Sequence, residues 1–179
     1  SQPMILSVGN LISVKNHKIL IKSMKEINAH LLIIGNGELF EELNQLIIEC
    51  GVQNKVTIKK SVPNNQIQDY YKSAKIFALA YNTEVETLPM PVMEAMATGL
   101  PIVIPFPKEG FSEGLEKIAM FTKNNEKSFI ENINKLLDDD DLQRTYSKQS
   151  LNKSIDFDLQ KIETREAKIY QELIKGLKK

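Results

Sequence analysis

Short apolar runs alternate along this chain with segments of helical periodicity. The segment 17–27 carries apolar residues at Ile19, Leu20, Met24 and Ile27, a spacing that places them on one face of a helix. The apolar runs are too short for helices and are bounded by polar or turn residues, so they predict buried strands. The predicted strands are 4–8, 30–35, 55–59, 75–81, 101–105 and 117–121. The predicted helices are 17–27, 38–51, 64–74, 91–99, two helices after 121, and a longer C-terminal helix over about 157–177.

Regular alternation of strand and helix with short connections predicts right-handed βαβ units and a parallel sheet covered on both faces. We therefore expect one α/β domain over residues 1–179, a Rossmann-like, doubly wound sheet of about six parallel strands with flanking helices. Such sheets bind ligands at the carboxyl ends of their strands. The loops that deserve inspection are 9–16, 35–38, 59–64, 81–91 and 105–114.

Composition and charge exclude several classes of function. Lysine plus arginine and aspartate plus glutamate each number 23, so no global field favours nucleic acid or an anionic membrane. No basic stripe carries interleaved aromatic residues, and we expect no nucleic-acid partner. The single Cys50 excludes an internal disulfide and fits a reducing compartment. No apolar run approaches the roughly 20 residues that a membrane-spanning helix needs.

Two glutamates, Glu86 and Glu94, lie eight residues apart with Pro89 and Pro91 between them. Because proline breaks a helix interior but is favoured at its first position, we expect a helix that begins at Pro91 and ends before Gly99. Glu94 would then lie in the first helical turn and Glu86 in the preceding loop. The N-H groups of that turn attract an anion such as a phosphate, and carboxylates accept hydrogen bonds from vicinal hydroxyls. A sugar and a ribose flanking a diphosphate fit this arrangement. The spacing alone fits equally a Glu94 that only complements the helix dipole and a Glu86 that is solvated.

The segment 86–103, ETLPMPVMEAMATGLPIV, resembles the signature of the nucleotide-binding C-terminal domain of GT-B glycosyltransferases of the retaining, family-four type (glycosyl transferases group 1). That signature is a Glu-x7-Glu pair followed by Ala-Met-Ala-x-Gly-x-Pro. The segments SVGNLISVKNHKILIKSM (7–24) and LLIIGNGELFEEL (31–43) are similar to the family's first strand with its phosphate loop and to its second strand with a Gly-x-Gly turn. The likeness covers most of the chain.

The resemblance implies roles for three charged residues. Glu86 matches the family's catalytic-site glutamate, which lies against the donor sugar. Glu94 matches the glutamate that binds the ribose hydroxyls. Lys15 matches the lysine that neutralises the donor diphosphate, on which negative charge develops as the glycosidic bond breaks.

Further substrate-binding positions are expected around these three. Gly35 and Gly37 match the family's glycine turn, although a Gly-x-Gly also occurs simply as a tight strand-to-helix turn. The nucleobase is expected near Lys60, at Ser61 and Val62. The backbone N-H groups of Leu88 and Met90 are available at the helix N-terminus, whereas the intervening proline has none.

The sequence departs from the family pattern at several of these positions. Asn10 stands where the family usually has an arginine that binds the diphosphate, so a charge is missing there. The turn after the fifth strand keeps Gly110 and Glu113 but has Glu109 for its first glycine. Gly110 is still expected to present its N-H close to the sugar. Pro89 occupies a position that is often glycine.

The resemblance thus implies the donor-binding half of an enzyme of polysaccharide biosynthesis. It would transfer a sugar from a nucleotide-sugar donor to a glycan or lipid-linked acceptor, with no cofactor and no metal expected. The acceptor site is expected on an N-terminal domain that is absent from residues 1–179. The setting implied is cytoplasmic, and peripheral association of the full-length enzyme with the inner face of the membrane is allowed. Two alternatives are a degenerate, non-catalytic GT-B domain that acts in binding or assembly and an unrelated Rossmann-like phosphate binder. The Glu86–Glu94 pair together with Lys15 argues against the second.

Overall fold

A computed structural model describes residues 2–108 and 117–176. Its centre is a sheet of six strands, each parallel to its neighbours, in the order β3-β2-β1-β4-β5-β6. The predicted fold class, a Rossmann-like doubly wound parallel sheet, is confirmed. The strands are β1 Met4–Val8, β2 His30–Ile34, β3 Val56–Lys59, β4 Ile76–Ala78, β5 Ile102–Pro105 and β6 Ala119–Thr122.

Helices connect the strands and cover both faces of the sheet. Two short 3-10 helices, at Ser13–Lys15 and Ile155–Phe157, accompany them. The α-helices are α1 His17–Ser23, α2 Phe40–Glu49, α3 Asn64–Ser73, α4 Met90–Ala97, α5 Glu126–Asp138, α6 Asp140–Ser154 and α7 Leu159–Gly176.

The core divides into two apolar layers, one on each side of the sheet. Successive side chains of a strand point to opposite faces, and Ile5 and Leu6 of β1 accordingly belong to different layers. The layer of Ile5 contains the buried faces of α1, α2 and α5, and the layer of Leu6 contains those of α3 and α4. Because the strand order reverses at β1, the loops after β1 and β4 diverge there and leave room for a ligand.

Helix α1 ends at Ser23, four residues earlier than the periodicity predicts. The Ser23 hydroxyl donates to the Ile19 carbonyl at 2.8 Å, and the next N-H groups bond three residues back rather than four. The predicted apolar stripe is nevertheless buried at Met24 and Ile27, because a tight turn continues the helix direction.

The predicted C-terminal helix is present, but it does not pack along the domain. Helix α7 follows the second 3-10 helix, and its described side chains are exposed apart from the half-buried Ile162. Its apolar residues Ile169, Leu173 and Ile174 are about half exposed. The apolar stripe is present, as the sequence indicates, but no surface of residues 2–108 or 117–158 covers it.

Within the described part of the chain, no helix has both the length and the apolar composition needed to cross a membrane.

Candidate functional site

A cavity of about 410 Å³ opens at the carboxyl edge of the sheet, where β1, β2 and β3 end and α4 begins. Four segments that are distant in sequence form its wall. The lining residues are Val8, Gly9, Asn10, Ile34, Gly35, Asn36, Lys60, Ser61, Val62, Asn64, Ile67, Met90, Pro91 and Glu94. Of the residues predicted from sequence, the structure brings Asn10, Gly35, Ser61, Val62, Met90 and Glu94 to this one cavity.

The Gly-x-Gly turn brings two cavity loops into backbone contact. A Cβ atom at Gly35 would lie 1.9 Å from the Gly9 carbonyl oxygen, and one at Gly37 would lie 2.5 Å from the Leu11 oxygen. The loops are also joined by the Leu11 N-H, which donates to the Asn36 carbonyl at 2.9 Å. Both glycines are therefore required by loop-on-loop packing. Gly35 also lines the cavity, whereas Gly37 lies behind it.

His17, which sequence reasoning missed, forms a hydrogen bond with the loop after β1. Its side chain is buried, and Nε2 lies 3.3 Å from the Asn10 carbonyl oxygen, to which it donates as a neutral ring. Burial lowers the pKa of His17 to about 4, although hydrogen bonds with the backbone of Asn10 and Gly9 act to raise it. The ring is thus uncharged at neutral pH and holds the loop by one N-H. The only sequence signal is a histidine at the first position of a helix beside a candidate phosphate loop.

Lys15 and Glu86 form a partly buried ion pair beside the cavity. The Lys15 ammonium donates to both carboxylate oxygens, at 2.7 and 2.6 Å, and the two side chains are 10% and 30% exposed. The Lys15 stem packs under Gly9, where an added Cβ would lie 3.4 Å from Lys15 Cδ. Lys15 and Glu86, which were both predicted as site residues, thus contact each other. They lie behind the loop after β1 and do not line the cavity.

Backbone contacts fix the loop that carries Glu86. The Asn82 N-H donates to the Val14 carbonyl at 2.8 Å, and the Glu86 N-H donates to the Asn82 carbonyl at 3.0 Å. The Tyr81 hydroxyl donates to the Thr87 carbonyl at 3.1 Å. Burial, and then the charge of Glu86, raise the pKa of Tyr81, so this hydroxyl keeps its proton.

Helix α4 begins one residue earlier than predicted. Pro89 is its N-cap and Met90 its first residue, so Pro91 takes the second position. Glu94 consequently lies in the second turn, not the first, and complementing the helix dipole becomes a weaker reason for its presence. Gly99 follows the helix with a φ of 71°, as expected for the residue that ends it.

The Glu94 carboxylate is held by a tyrosine of α3 that sequence reasoning also missed. The Tyr71 hydroxyl donates to Glu94 Oε2 at 2.7 Å, and the Pro91 carbonyl oxygen lies 3.3 Å from the same hydroxyl. Tyr71 is 1% exposed, while Glu94 is exposed at the cavity. Burial, followed by the hydrogen bond to Glu94, raises the pKa of Tyr71, and the hydroxyl remains a donor. In sequence, Tyr71 looks like an ordinary core residue of an amphipathic helix.

Leu88 differs in its placement from the other predicted positions, whereas Lys60 lines the cavity. Leu88 is half-buried and packs against the apolar layer of α3 and α4, so its side chain does not line the cavity. Lys60 places its ammonium 4.0 Å from the centre of the Phe40 ring. Gly110, with Glu109 and Glu113, lies outside the described residues.

Across the ranges that the structure describes, no three histidine, cysteine, aspartate or glutamate side chains converge as a set that could hold a metal ion.

The sheet order, with a cavity at the carboxyl ends of β1, β2 and β3, defines a Rossmann-like domain. The chain belongs to the glycosyl transferases group 1 family, whose model matches residues 1–153. It is 32% identical over 167 residues to an uncharacterized glycosyltransferase of Haemophilus influenzae, covering 88% of this chain and 46% of that protein. It is 30% identical over 163 residues to the N-acetylgalactosamine-N,N'-diacetylbacillosaminyl-diphospho-undecaprenol 4-alpha-N-acetylgalactosaminyltransferase of Campylobacter jejuni, covering 88% of this chain and 44% of that protein.

Solved structures show the same fold. Anabaena HepE in complex with UDP superposes with a TM-score of 0.86 at 19% identity, covering 96% of this chain and 49% of that one. The catalytic domain of the cholesterol-alpha-glucosyltransferase of Helicobacter pylori superposes with a TM-score of 0.77 at 21% identity, covering 88% and 99%. The chain therefore has the fold of the C-terminal domain of a GT-B glycosyltransferase, and it spans about half the length of the curated relatives that it matches.

Proposed function

We propose that this chain is the donor-binding domain of a retaining glycosyltransferase, and that its cavity binds a nucleotide-diphosphate sugar. One observation carries the proposal: Glu94, the loops after β1, β2 and β3 and the N-terminus of α4 line a single cavity in a member of the glycosyl transferases group 1 family. The complex of Anabaena HepE with UDP supports a nucleoside diphosphate as the ligand class.

The ribose and the diphosphate would occupy the α4 side of the cavity. Glu94 would accept hydrogen bonds from the two ribose hydroxyls. The Met90 N-H, the first of α4, would favour a phosphate at the positive end of the helix. Pro91 has no N-H, and the Val92 N-H donates to the Pro89 carbonyl at 2.9 Å. The Asn10 amide, at the opposite wall, would add a neutral donor where the family usually has a charge.

The base would lie at the end of β3. Ser61 and Val62 line the cavity there, and the backbone groups of this loop are the polar partners for a base edge. Phe40 holds the Lys60 ammonium, which limits the movement of this side chain.

Lys15 and Glu86 would act at the sugar end of the donor. An ammonium has three N-H donors and Glu86 accepts two of them, so one remains for the diphosphate. Lys15 would thereby orient the Glu86 carboxylate beside the donor sugar and stabilise charge on the leaving group. We assign no part of this reaction to a metal.

The acceptor would be a glycan or lipid-linked sugar, bound by an N-terminal domain outside these residues. The undecaprenol-linked acceptor named for the Campylobacter jejuni relative supports a lipid-linked class. In that reading the full-length enzyme works in the cytoplasm, at the inner face of the membrane.

Calorimetric titration of the chain with UDP, GDP, ADP and their hexose conjugates tests the proposal. We expect at least one to bind, and Glu94→Gln to weaken it by about 10- to 150-fold, the loss of a hydrogen bond to a charged group. Glu49→Gln, at the far end of α2, is the matched control and should leave the affinity unchanged. Absence of binding by every nucleotide at millimolar concentration would contradict the proposal and favour a degenerate, non-catalytic domain.

A further inference from the structure

Glu94 has two directions in which its carboxylate can turn. On one side lies the proposed donor cavity. On the other lies a groove of about 550 Å³ between α3 and α4, lined by Tyr71, Lys72 and Glu94 among others. Lys72, which lines the same groove, carries a charge opposite to that of the carboxylate. An exposed glutamate with three rotatable bonds therefore needs a reason to remain at the cavity.

Tyr71 supplies such a reason, because its own position is set by the core. The ring is buried and stacks on Phe77 with 5.9 Å between ring centres. Its hydroxyl donates to Glu94 Oε2 at 2.7 Å and so occupies one of the two carboxylate oxygens. A hydrogen bond to an ionised acceptor is about twice as strong as one between neutral groups. The Pro91 carbonyl oxygen, at 3.3 Å, is the weaker of the two partners of this hydroxyl.

We propose that Tyr71 is a positioning residue that fixes the Glu94 carboxylate at the cavity and thereby sets the preference of the site for ribose over 2′-deoxyribose. The inference rests on the proposed function, since it concerns how Glu94 meets the ribose hydroxyls. With one oxygen anchored, the remaining lone pairs have a fixed orientation toward two vicinal hydroxyls. Without the anchor, Glu94 divides its time between the cavity and Lys72, and the hydroxyls lose a preorganised acceptor.

The test compares Tyr71→Phe with wild type, using the nucleoside diphosphate among UDP, GDP and ADP that wild type binds most tightly and its 2′-deoxy counterpart. Tyr71→Phe keeps the ring on Phe77 and removes only the hydroxyl. We expect it to weaken ribonucleotide binding by about 3- to 10-fold, the range for ordering one flexible side chain, and 2′-deoxynucleotide binding by less than about twofold. In a Glu94→Gln background the same change should have no further effect on the ribose preference, because the carboxylate that it orients is gone.

Tyr70→Phe is the matched control. Tyr70 is the adjacent tyrosine, and its hydroxyl accepts from the Lys59 ammonium at 2.6 Å, away from Glu94. We expect this variant to bind both nucleotides like wild type, and melting curves should show that both tyrosine variants are folded.

The outcomes separate the two proposals. If no nucleotide binds, or if Glu94→Gln leaves the ribose preference intact, the assigned role of Glu94 fails and the inference fails with it. If Glu94→Gln abolishes the preference but Tyr71→Phe leaves it intact, only the inference is overturned. An equal loss of ribo- and deoxynucleotide affinity in Tyr71→Phe would assign Tyr71 a merely structural role and overturn it as well.

Discussion

At the scale of single residues, the site depends on buried and partly buried polar side chains that contact one another or the backbone. Tyr71, Tyr81 and His17 are buried polar groups that remain neutral, and each contacts a part of the chain that forms or supports the cavity. Lys15 and Glu86 are the charged exception and satisfy each other. The neutral groups act as fixed hydrogen-bond donors, and the ion pair keeps the local charge balanced.

The burial of His17 predicts a pH dependence of stability. Its pKa falls from 6.5 to about 4 on folding, so below pH 6.5 the unfolded chain takes up a proton that the folded chain excludes. Stability should therefore fall as the pH drops through the window from about 6.5 to 4, with a loss of about 2 kcal/mol between pH 7 and pH 5. Urea unfolding at pH 7, 6 and 5 measures this slope.

The control for His17 uses the second histidine of the chain. His17→Gln should remove most of the slope between pH 7 and 5, although it lowers stability at pH 7. His30→Gln, at a ring that bonds the Thr57 hydroxyl near the surface, should keep the slope. A slope that survives in His17→Gln would show that other groups cause it.

The Lys15–Glu86 pair predicts an asymmetric cost of losing either partner. Glu86→Ala leaves an ammonium that is only 10% exposed without its partner, whereas Lys15→Met leaves a carboxylate that is 30% exposed and more easily hydrated. We expect about 2–3 kcal/mol of destabilisation for Glu86→Ala and about 1 kcal/mol for Lys15→Met. The double variant should cost less than the sum, since no unpaired charge remains. Chemical denaturation of the three variants measures this, and a larger loss for Lys15→Met would contradict the argument.

At the scale of elements, the cavity is formed by loop pairs and helix ends. The loops after β1 and β2 touch through Gly35 and Gly37, where a side chain would collide with backbone. Helix α4 brings Glu94 to the cavity from its second turn, and α3 holds that glutamate through Tyr71. Two adjacent helices of one apolar layer thus place a single carboxylate.

Helix α7 predicts that the domain is stable without its last element. Its described side chains are exposed apart from Ile162, so removal of residues 159–179 should shift the melting temperature by less than about 2 °C, the effect of about 0.5 kcal/mol. The shortened chain should also self-associate less, because it lacks the exposed apolar residues Ile169, Leu173 and Ile174. Scanning calorimetry and analytical ultracentrifugation measure these effects. A fall of more than about 5 °C would show that α7 packs on the domain in solution.

At the scale of the whole molecule, the described residues form one lobe, and the proposed donor cavity opens at the carboxyl edge of its sheet. The chain spans about half the length of its curated relatives. The N-terminal domain that we propose would supply a second lobe to hold an acceptor. The proposed donor cavity is open to solvent. The apolar residues Ile169, Leu173 and Ile174 of α7 are also exposed.

We predict that this chain alone binds the donor but transfers no sugar. Positioning an acceptor hydroxyl against the anomeric carbon supplies about 7–11 kcal/mol of a barrier, and one open lobe cannot provide it. Incubation with the nucleotide sugar that binds and with glycan or lipid-linked acceptors, followed by mass spectrometry, should show no product. A longer protein that includes the proposed N-terminal domain is the positive control. Robust transfer by the chain alone would show that the acceptor site lies within these residues.

The sequence alone determined the strands, the order of elements and most of the cavity wall. A buried parallel strand favours a continuous apolar run, and proline favours a helix start, as at Pro89 and Pro91, so both can be recognised from neighbouring residues. The motif around Glu94 was recognisable because it resembles a family signature, since its spacing alone fits an ordinary helix start equally well. The tertiary structure decided which side chains meet: Lys15 with Glu86 across 71 residues, Tyr71 with Glu94 across 23, and His17 with the Asn10 carbonyl. It also decided that α7 lies uncovered, because an apolar stripe shows that a partner surface is needed but not where that surface is.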